Sequence, residues 1–267
     1  MDKILSRDGT MIAYRHRGEG PPVILVGGSL GTAATEAPLA RLLAPHFHVV
    51  TYDRRGRGSS GDSGPYAVER EIEDLAALVT ATGGRASVFG IGAGGALALE
   101  AQAAGLPVDL LAVYEPPYTP GAAGLQYKAC CTSRLHRLLS TGDRAGAVEL
   151  FLSVTGVPAD MIARMRRAPL WSDLLAMAHT LAYDDAVLGT GAIPAARFAS
   201  VTARTLVICG GSSPTPARQS TRTLAQTLPR ARHRTLTGQT RDLAPQAVAP
   251  VLAEFFARPA PLLRQAS

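Results

Sequence analysis

Residues 86–100, ASVFGIGAGGALALE, pass from a short apolar run into a helix-length apolar segment through a turn rich in glycine. A strand that stops abruptly and hands the chain to a helix suits this pattern. Gly90, Gly92, Gly94 and Gly95 permit both a sharp turn and close approach of helix to strand. The same rhythm recurs along the chain. Apolar runs at 23–26, 48–52, 86–89, 108–114, 205–209 and 233–236 end in Gly27-Gly28-Ser29, Asp53, Gly90, Glu115, Gly210-Gly211 and Thr237-Gly238. With two short strands at 3–7 and 11–16, they predict an α/β fold: a mostly parallel sheet flanked by helices, its ligand site beyond the strands' carboxyl ends.

Between these runs Val68, Ile72, Leu75, Ala76 and Val79 recur at helical spacing, with Glu69, Arg70 and Glu73 facing away, so a helix packs on the sheet there. Residues 118–199 break the alternation. Their helical stretches, interrupted by Pro158, Pro169 and Pro194 and rich in aromatic and Met side chains, read as an inserted helical cap, leaving 1–117 and 200–267 as the core. A chain of 267 residues with 46% apolar content can bury one sizeable core of this kind. No apolar run has the length of a signal peptide or a membrane span, so a cytoplasmic protein with no membrane partner is expected, its tail after Pro259 frayed. Cys130, Cys131 and Cys209 have neither disulfide nor metal-ligand spacing, and no metal or cofactor is expected. The formal charge of +6 is spread over scattered arginines without a basic stripe interleaved with aromatics, which argues against nucleic acid as a partner. A homodimer stays open.

Three stretches, in matching order and spacing, resemble the α/β-hydrolase family over nearly the whole chain. VILVGGSLG (23–31) is similar to the strand and small-residue loop that supplies an oxyanion-hole N–H, and TYDRRGRGSS (51–60) to the stretch Asp-x-Arg-Gly-x-Gly-x-Ser. ASVFGIGAGGALALE is similar to the nucleophile elbow, Gly-x-Nu-x-Gly, in which a strained turn presents a nucleophile at a helix N-terminus. The resemblance implies an α/β-hydrolase fold with an inserted cap and an oxyanion hole made by the backbone N–H groups of Ser29 and Ala93. It also implies a nucleophile at 92, a histidine in the loop after the last strand, and an acid after the preceding one. Those positions hold Gly92, Arg241 and Ser212-Ser213. Gly92 has no nucleophilic atom, and a guanidinium, protonated near neutrality, cannot act as the base. Members with shifted triads take the acid from the end of an earlier strand, the place of Glu115. That residue either forms a charge-assisted pair with Arg241 or binds backbone N–H groups around Pro116-Pro117 as a structural residue.

The glycine turn has a competing reading, because Gly90, Gly92 and Gly95 also spell Gly-x-Gly-x-x-Gly, with Glu115 where a ribose-binding carboxylate falls. Against it, a dinucleotide fingerprint opens its half of the sheet, whereas several strands precede this one.

Ser29 carries a hydroxyl at the site edge, better suited to hydrogen bonding than to attack because no base adjoins it. His179 and His136 lie in the cap. His179 is the leading candidate for a relocated acid/base, set against a packed or solvent-facing histidine. Tyr114, Tyr118 and Tyr127 bracket the entry to the cap, either as ligand-pocket residues or as half-buried core. Cys130 and Cys131 lack an adjacent cation to activate them. His46 and His48, at the far end of a strand, are read as structural. The catalytic set expected is His179, Glu115 and Ser29, and the function expected is a non-hydrolytic enzyme of lyase, isomerase or cyclase type. Its partner is a small organic intermediate of specialised metabolism, such as a polyketide-like compound. A non-catalytic small-molecule-binding protein and a hydrolase with a relocated residue set are the alternatives.

Overall fold

The protein is described by a computed structural model that covers residues 1–257; the tail expected to fray after Pro259 lies outside the described residues. The chain forms β1 (Asp2–Leu5), β2 (Met11–Arg17), β3 (Pro22–Val26), β4 (His48–Tyr52), β5 (Ala86–Ile91), β6 (Val108–Tyr114), β7 (Arg204–Gly210) and β8 (Ala231–Leu236). They build one sheet in the order β1-β2-β4-β3-β5-β6-β7-β8. The β1–β2 and β2–β4 pairs are antiparallel and all others parallel. Strands covered on both faces read as continuous apolar runs, and Val23, Ile24, Leu25 and Val26 are all buried. Helices α1 (Ala33–Leu43) and α11 (Pro245–Phe256) cover one face, where Leu39, Leu43, Val248 and Leu252 meet Val23, Leu25 and Ile208. On the other face α2 (Val68–Ala81), α3 (Ala93–Ala103) and α10 (Thr215–Thr227) bring Leu75, Leu97 and Leu224 against Ile24, Val88 and Val207.

Between β6 and β7 the chain inserts α4 (Gly121–Ser140), α5 (Arg144–Val154), α6 (Ala159–Met165), α7 (Leu170–Met177), α8 (Thr180–Leu188) and α9 (Ala195–Phe198). Val148, Leu152, Ile162, Trp171, Leu174 and Met177 form a core within this insertion, and Leu30, from the loop after β3, packs against it. Among the described residues no helix is long and apolar enough to cross a membrane.

Helix α2 turns charge as well as hydrophobes inward. Arg54, Arg55 and Arg57, in the loop after β4, are each 1% exposed, so these three are not part of a scattered surface charge. Arg54 makes a bidentate pair with Glu71, both bonds 2.7 Å, and a further bond of 2.7 Å to Asp184 of α8. Arg57 donates to the same Asp184 oxygen at 2.8 Å, and Arg55 pairs with Asp74 and Asp8. Arg54 and Arg55 thus meet carboxylates in a fork geometry and Arg57 adds a single charge-assisted bond, which compensates part of their desolvation. One member, Asp184, belongs to the insertion and ties it to the core. Removing it takes from buried Arg57 its carboxylate partner among the described residues and from Arg54 one of two. Asp184→Ala is expected to lower unfolding free energy by about 3–5 kcal/mol in urea titrations. Arg70→Ala, at the partly exposed Arg70–Glu73 pair, should change it by less than about 1 kcal/mol.

Candidate active site

The end of β5 turns sharply into α3 at Gly92, with φ 55° and ψ −124°, a backbone conformation that strains a residue with a side chain. The Gly92 N–H donates to the Tyr114 carbonyl at 2.9 Å, and its own carbonyl accepts from Gly95 and Ala96. A Cβ built on Gly92 would meet nothing within 4 Å. The neighbouring glycines differ. A Cβ on Gly90 would lie 2.5 Å from the Gly94 carbonyl oxygen, and one on Gly94 would lie 2.4 Å from the carbonyl oxygens of Val26 and Gly27. Those glycines let α3 press onto β5 and β3, whereas Gly92 faces open space. The Gly-x-Gly-x-x-Gly spelling therefore has a packing cause in the middle of the sheet, and the dinucleotide reading falls.

The loop after β3 lies against this turn, since a Cβ on Gly28 would stand 3.2 Å from the Ile91 carbonyl oxygen. Its shape is imposed by the buried arginines. Arg57 donates to the Gly28 carbonyl at 2.6 Å and Arg54 to that of Gly27 at 3.4 Å, while Leu30 takes φ 55° to reach the cap. The N–H groups of Ser29 and of Ala93, the first residue of α3, have no acceptor among the described residues. Burial alone would raise the Asp184 pKa, but Arg57 and Arg54, with hydrogen bonds from Arg57 and the Ser29 hydroxyl, hold it below the ordinary value. Asp53 fixes the same region from behind. Its oxygens accept from the N–H groups of Ala33 and Ser59 at 2.7 and 2.8 Å, and a Cβ on Gly58 would collide with its carboxylate.

Glu115, just after β6, is 5% exposed and has φ 44°. Its Oε1 accepts from the Gly210 N–H at 2.8 Å and the Ser213 hydroxyl at 2.5 Å; Oε2 is buried with no partner among the described residues. Both sequence alternatives for Glu115 are therefore corrected. Arg241 is exposed and makes no ion pair with it, and its N–H partner comes from the end of β7 rather than from Pro116-Pro117. Ser213 is spent on Glu115, and Ser212 is exposed with its N–H on the Gln239 carbonyl.

The sequence profile described as the alpha/beta hydrolase family matches residues 34–251. The chain belongs to that family. A crystal structure of an alpha/beta hydrolase from Sphaerobacter thermophilus is 52% identical, with TM-score 0.86, over 96% of this chain and 100% of the other. The chain is also 36% identical over 150 residues to a putative carbamate hydrolase, RutD, of Caulobacter segnis, a match spanning 53% of each protein. An uncharacterized hydrolase, YraK, of Bacillus subtilis is 38% identical over 96 residues, 34% of this chain and 35% of its own length. The match thus spans about half the length of one curated relative and about a third of the other.

On this alpha/beta hydrolase frame the remaining candidates scatter. His179, at the start of α8, has Nε2 3.0 Å from Asp62, which also accepts from the Tyr183 hydroxyl; its Nδ1 is buried without a partner among the described residues. It sits beside Gly56, outside 4 Å of the Gly92 Cβ position. His136 is held by Asp185, 3.3 Å away. Tyr114 and Tyr118 are core residues, not pocket walls: the Tyr114 hydroxyl donates to the Thr240 carbonyl, and Tyr118 packs edge-on against Phe198. Tyr127 is 60% exposed. Two grooves, of about 250 and 190 Å³, lie against β7–β8–α11 and β2–β4–α2, and neither is lined by Gly92 or its neighbours. Among the described residues no group of three or more side chains could hold a metal ion.

Sequence reasoning missed Glu36. On an amphipathic helix a lone glutamate reads as a surface residue, yet this one is 5% exposed. Its Oε1 lies 3.5 Å from where a Cβ would stand on Gly27, and it has no hydrogen bond or ion pair among the described residues. Burial pushes its carboxyl up from 4.5 to about 7. The folded state therefore holds this proton more tightly than the unfolded chain, and its contribution to stability is lost as pH rises from about 4.5 through 7. Glu36→Gln should flatten that part of the stability–pH curve and stabilise the protein at pH 8 by about 2–3 kcal/mol, read from urea unfolding at a series of pH values.

Proposed function

We propose that this alpha/beta hydrolase family member is a non-hydrolytic, cofactor-independent enzyme, acting on a small carbonyl compound by proton transfer as a lyase, isomerase or cyclase does. Gly92 carries the reading: the elbow, its open space and its N–H donors are present, and the atom that would attack is missing. Enolate chemistry needs no nucleophile. A base takes a proton from the carbon next to the carbonyl, the C–H electron pair moves onto the carbonyl oxygen, and the N–H groups of Ser29 and Ala93 stabilise that oxyanion. Return of the proton to another carbon, or departure of a leaving group with its electron pair, completes the reaction. His179 is the base in this scheme, with its imidazole oriented by Asp62 and Nδ1 left as the acceptor. The relatives' names, a carbamate hydrolase among them, support a carbonyl-bearing ligand. A binding protein without turnover is the second reading, favoured by the distance of His179 from the elbow.

Wild-type protein is expected to leave p-nitrophenyl acetate at its background rate and to take no fluorophosphonate label. The double variant Gly92→Ser/Arg241→His should be labelled at residue 92 and gain at least about 10²-fold in ester hydrolysis, because it restores a hydroxyl and an imidazole to the two positions that hold them in the family. Wild-type hydrolysis with a label on another residue would sink the proposal. In D₂O, exchange at the α-carbon of a set of small ketones should be accelerated by the protein and slowed about 10²-fold or more by His179→Ala. Thermal stabilisation by a ketone that undergoes no exchange selects the binding protein instead.

A further inference from the structure

The groove of about 250 Å³ between β7, β8 and α11 gathers three cations that the sequence disperses. Arg232 and Arg234 alternate with His233 along β8, so they share one face of the sheet about 7 Å apart. In the β7–β8 register Arg232 stands opposite Leu206 and Arg234 opposite Ile208, both in the core beneath α11, and Arg204 precedes Leu206 by two on the same face. All three arginines line the groove, and Leu206, Val251 and Phe255 give it an apolar wall. Among its described lining residues the one carboxylate is Glu254, 3.2 Å from Arg234. Arg204 and Arg232 have no side-chain hydrogen bond or ion pair among the described residues. Three guanidiniums thus face one carboxylate and about half a negative charge at the C-terminal end of α11, which leaves positive charge in excess. Like charges on one sheet face repel, and a guanidinium cannot relieve the repulsion by losing its proton. Residues 258–267 add two arginines and no Asp or Glu, so the chain that follows α11 supplies no acidic side chain to balance them.

We infer that this groove is a second ligand site, separate from Gly92, that takes a small phosphate monoester carrying a flat apolar group. The dianionic phosphate lies among the guanidiniums of Arg204, Arg232 and Arg234, whose planar forks match its oxygens, and the apolar group lies on Leu206, Val251 and Phe255. The excess of positive charge favours a dianion over a single carboxylate, because attraction grows with the charge on the ligand. The volume of the groove is near the small end of ligand pockets, which suits a molecule of that size. The site is remote from the elbow. β7 runs about 20 Å from Arg204 to Gly210, and Glu115 meets it at the Gly210 end.

NMR titration of the full chain with phenyl phosphate, benzoate and benzyl alcohol tests this. Phenyl phosphate is expected to shift the amides of residues 204–206, 231–234 and 251–255 and to bind at least about tenfold more tightly than benzoate, with benzyl alcohol weakest. Added salt should weaken its binding. Arg204→Gln/Arg232→Gln should lower the affinity for phenyl phosphate at least about tenfold, and Arg232→Gln alone, at an exposed side chain, at least about threefold. Arg167→Gln, at an exposed arginine of the inserted helices, should leave it unchanged. Phe255→Ala should remove the advantage of phenyl phosphate over inorganic phosphate. Binding no tighter than that of benzyl alcohol overturns the inference, as do shifts confined to residues 27–30 and 92–95 or an affinity indifferent to both arginine variants. A phosphotyrosine peptide bound more tightly than phenyl phosphate also overturns it, in favour of a phosphorylated protein as the partner. None of these outcomes depends on whether the wild type hydrolyses esters, because the groove shares no residue with the Gly92 site.

Discussion

The carboxylate of Asp184, shared by Arg54 and Arg57, is the interaction on which the rest of the apex depends. It joins three elements distant in sequence: the loop after β4, the loop after β3 through the Gly27 and Gly28 carbonyls, and the inserted helices through α8. None of the three charges is affordable alone in a buried setting. Together they hold the Gly27 and Gly28 carbonyls, and with them the loop that carries Ser29. The shape of the loop after β3 is therefore imposed by electrostatics behind it rather than by its own residues.

The elbow separates form from chemistry. Gly90 and Gly94 are glycines because backbone oxygens occupy the space a Cβ would need, whereas a Cβ on Gly92 would find nothing nearby. Packing thus demands two of these glycines, whereas at 92 the reason for glycine is the backbone, whose φ of 55° strains a residue with a side chain. Around it Glu115 stays pinned by Gly210 and Ser213, and Arg241 stands out in solvent. The turn keeps its shape and carries no side chain at its apex.

Much of this was legible in order and spacing. Strands of four to seven residues ending in small or acidic residues specify a mostly parallel sheet, and the 108–114 and 48–52 runs appear with the bounds read from the sequence. The candidate site was less legible. Tyr114 and Tyr118 look like pocket residues at the cap entry, but their rings pack on the sheet. His179 was singled out without its partner, because Asp62 is 117 residues away in the chain.

By itself the sequence determined the family frame, the glycine turn and the absence of a nucleophile at 92, since these depend on local backbone chemistry and on residue identity. Only the tertiary structure decided which charges are buried and which are free. Glu36, Glu71 and Asp74 on their helices, and Arg54 and Arg57 in their loop, are buried. Their fate is set by which helix face meets the sheet and by long-range pairing with Asp184, and neither desolvation nor a partner across the fold leaves a mark in local sequence.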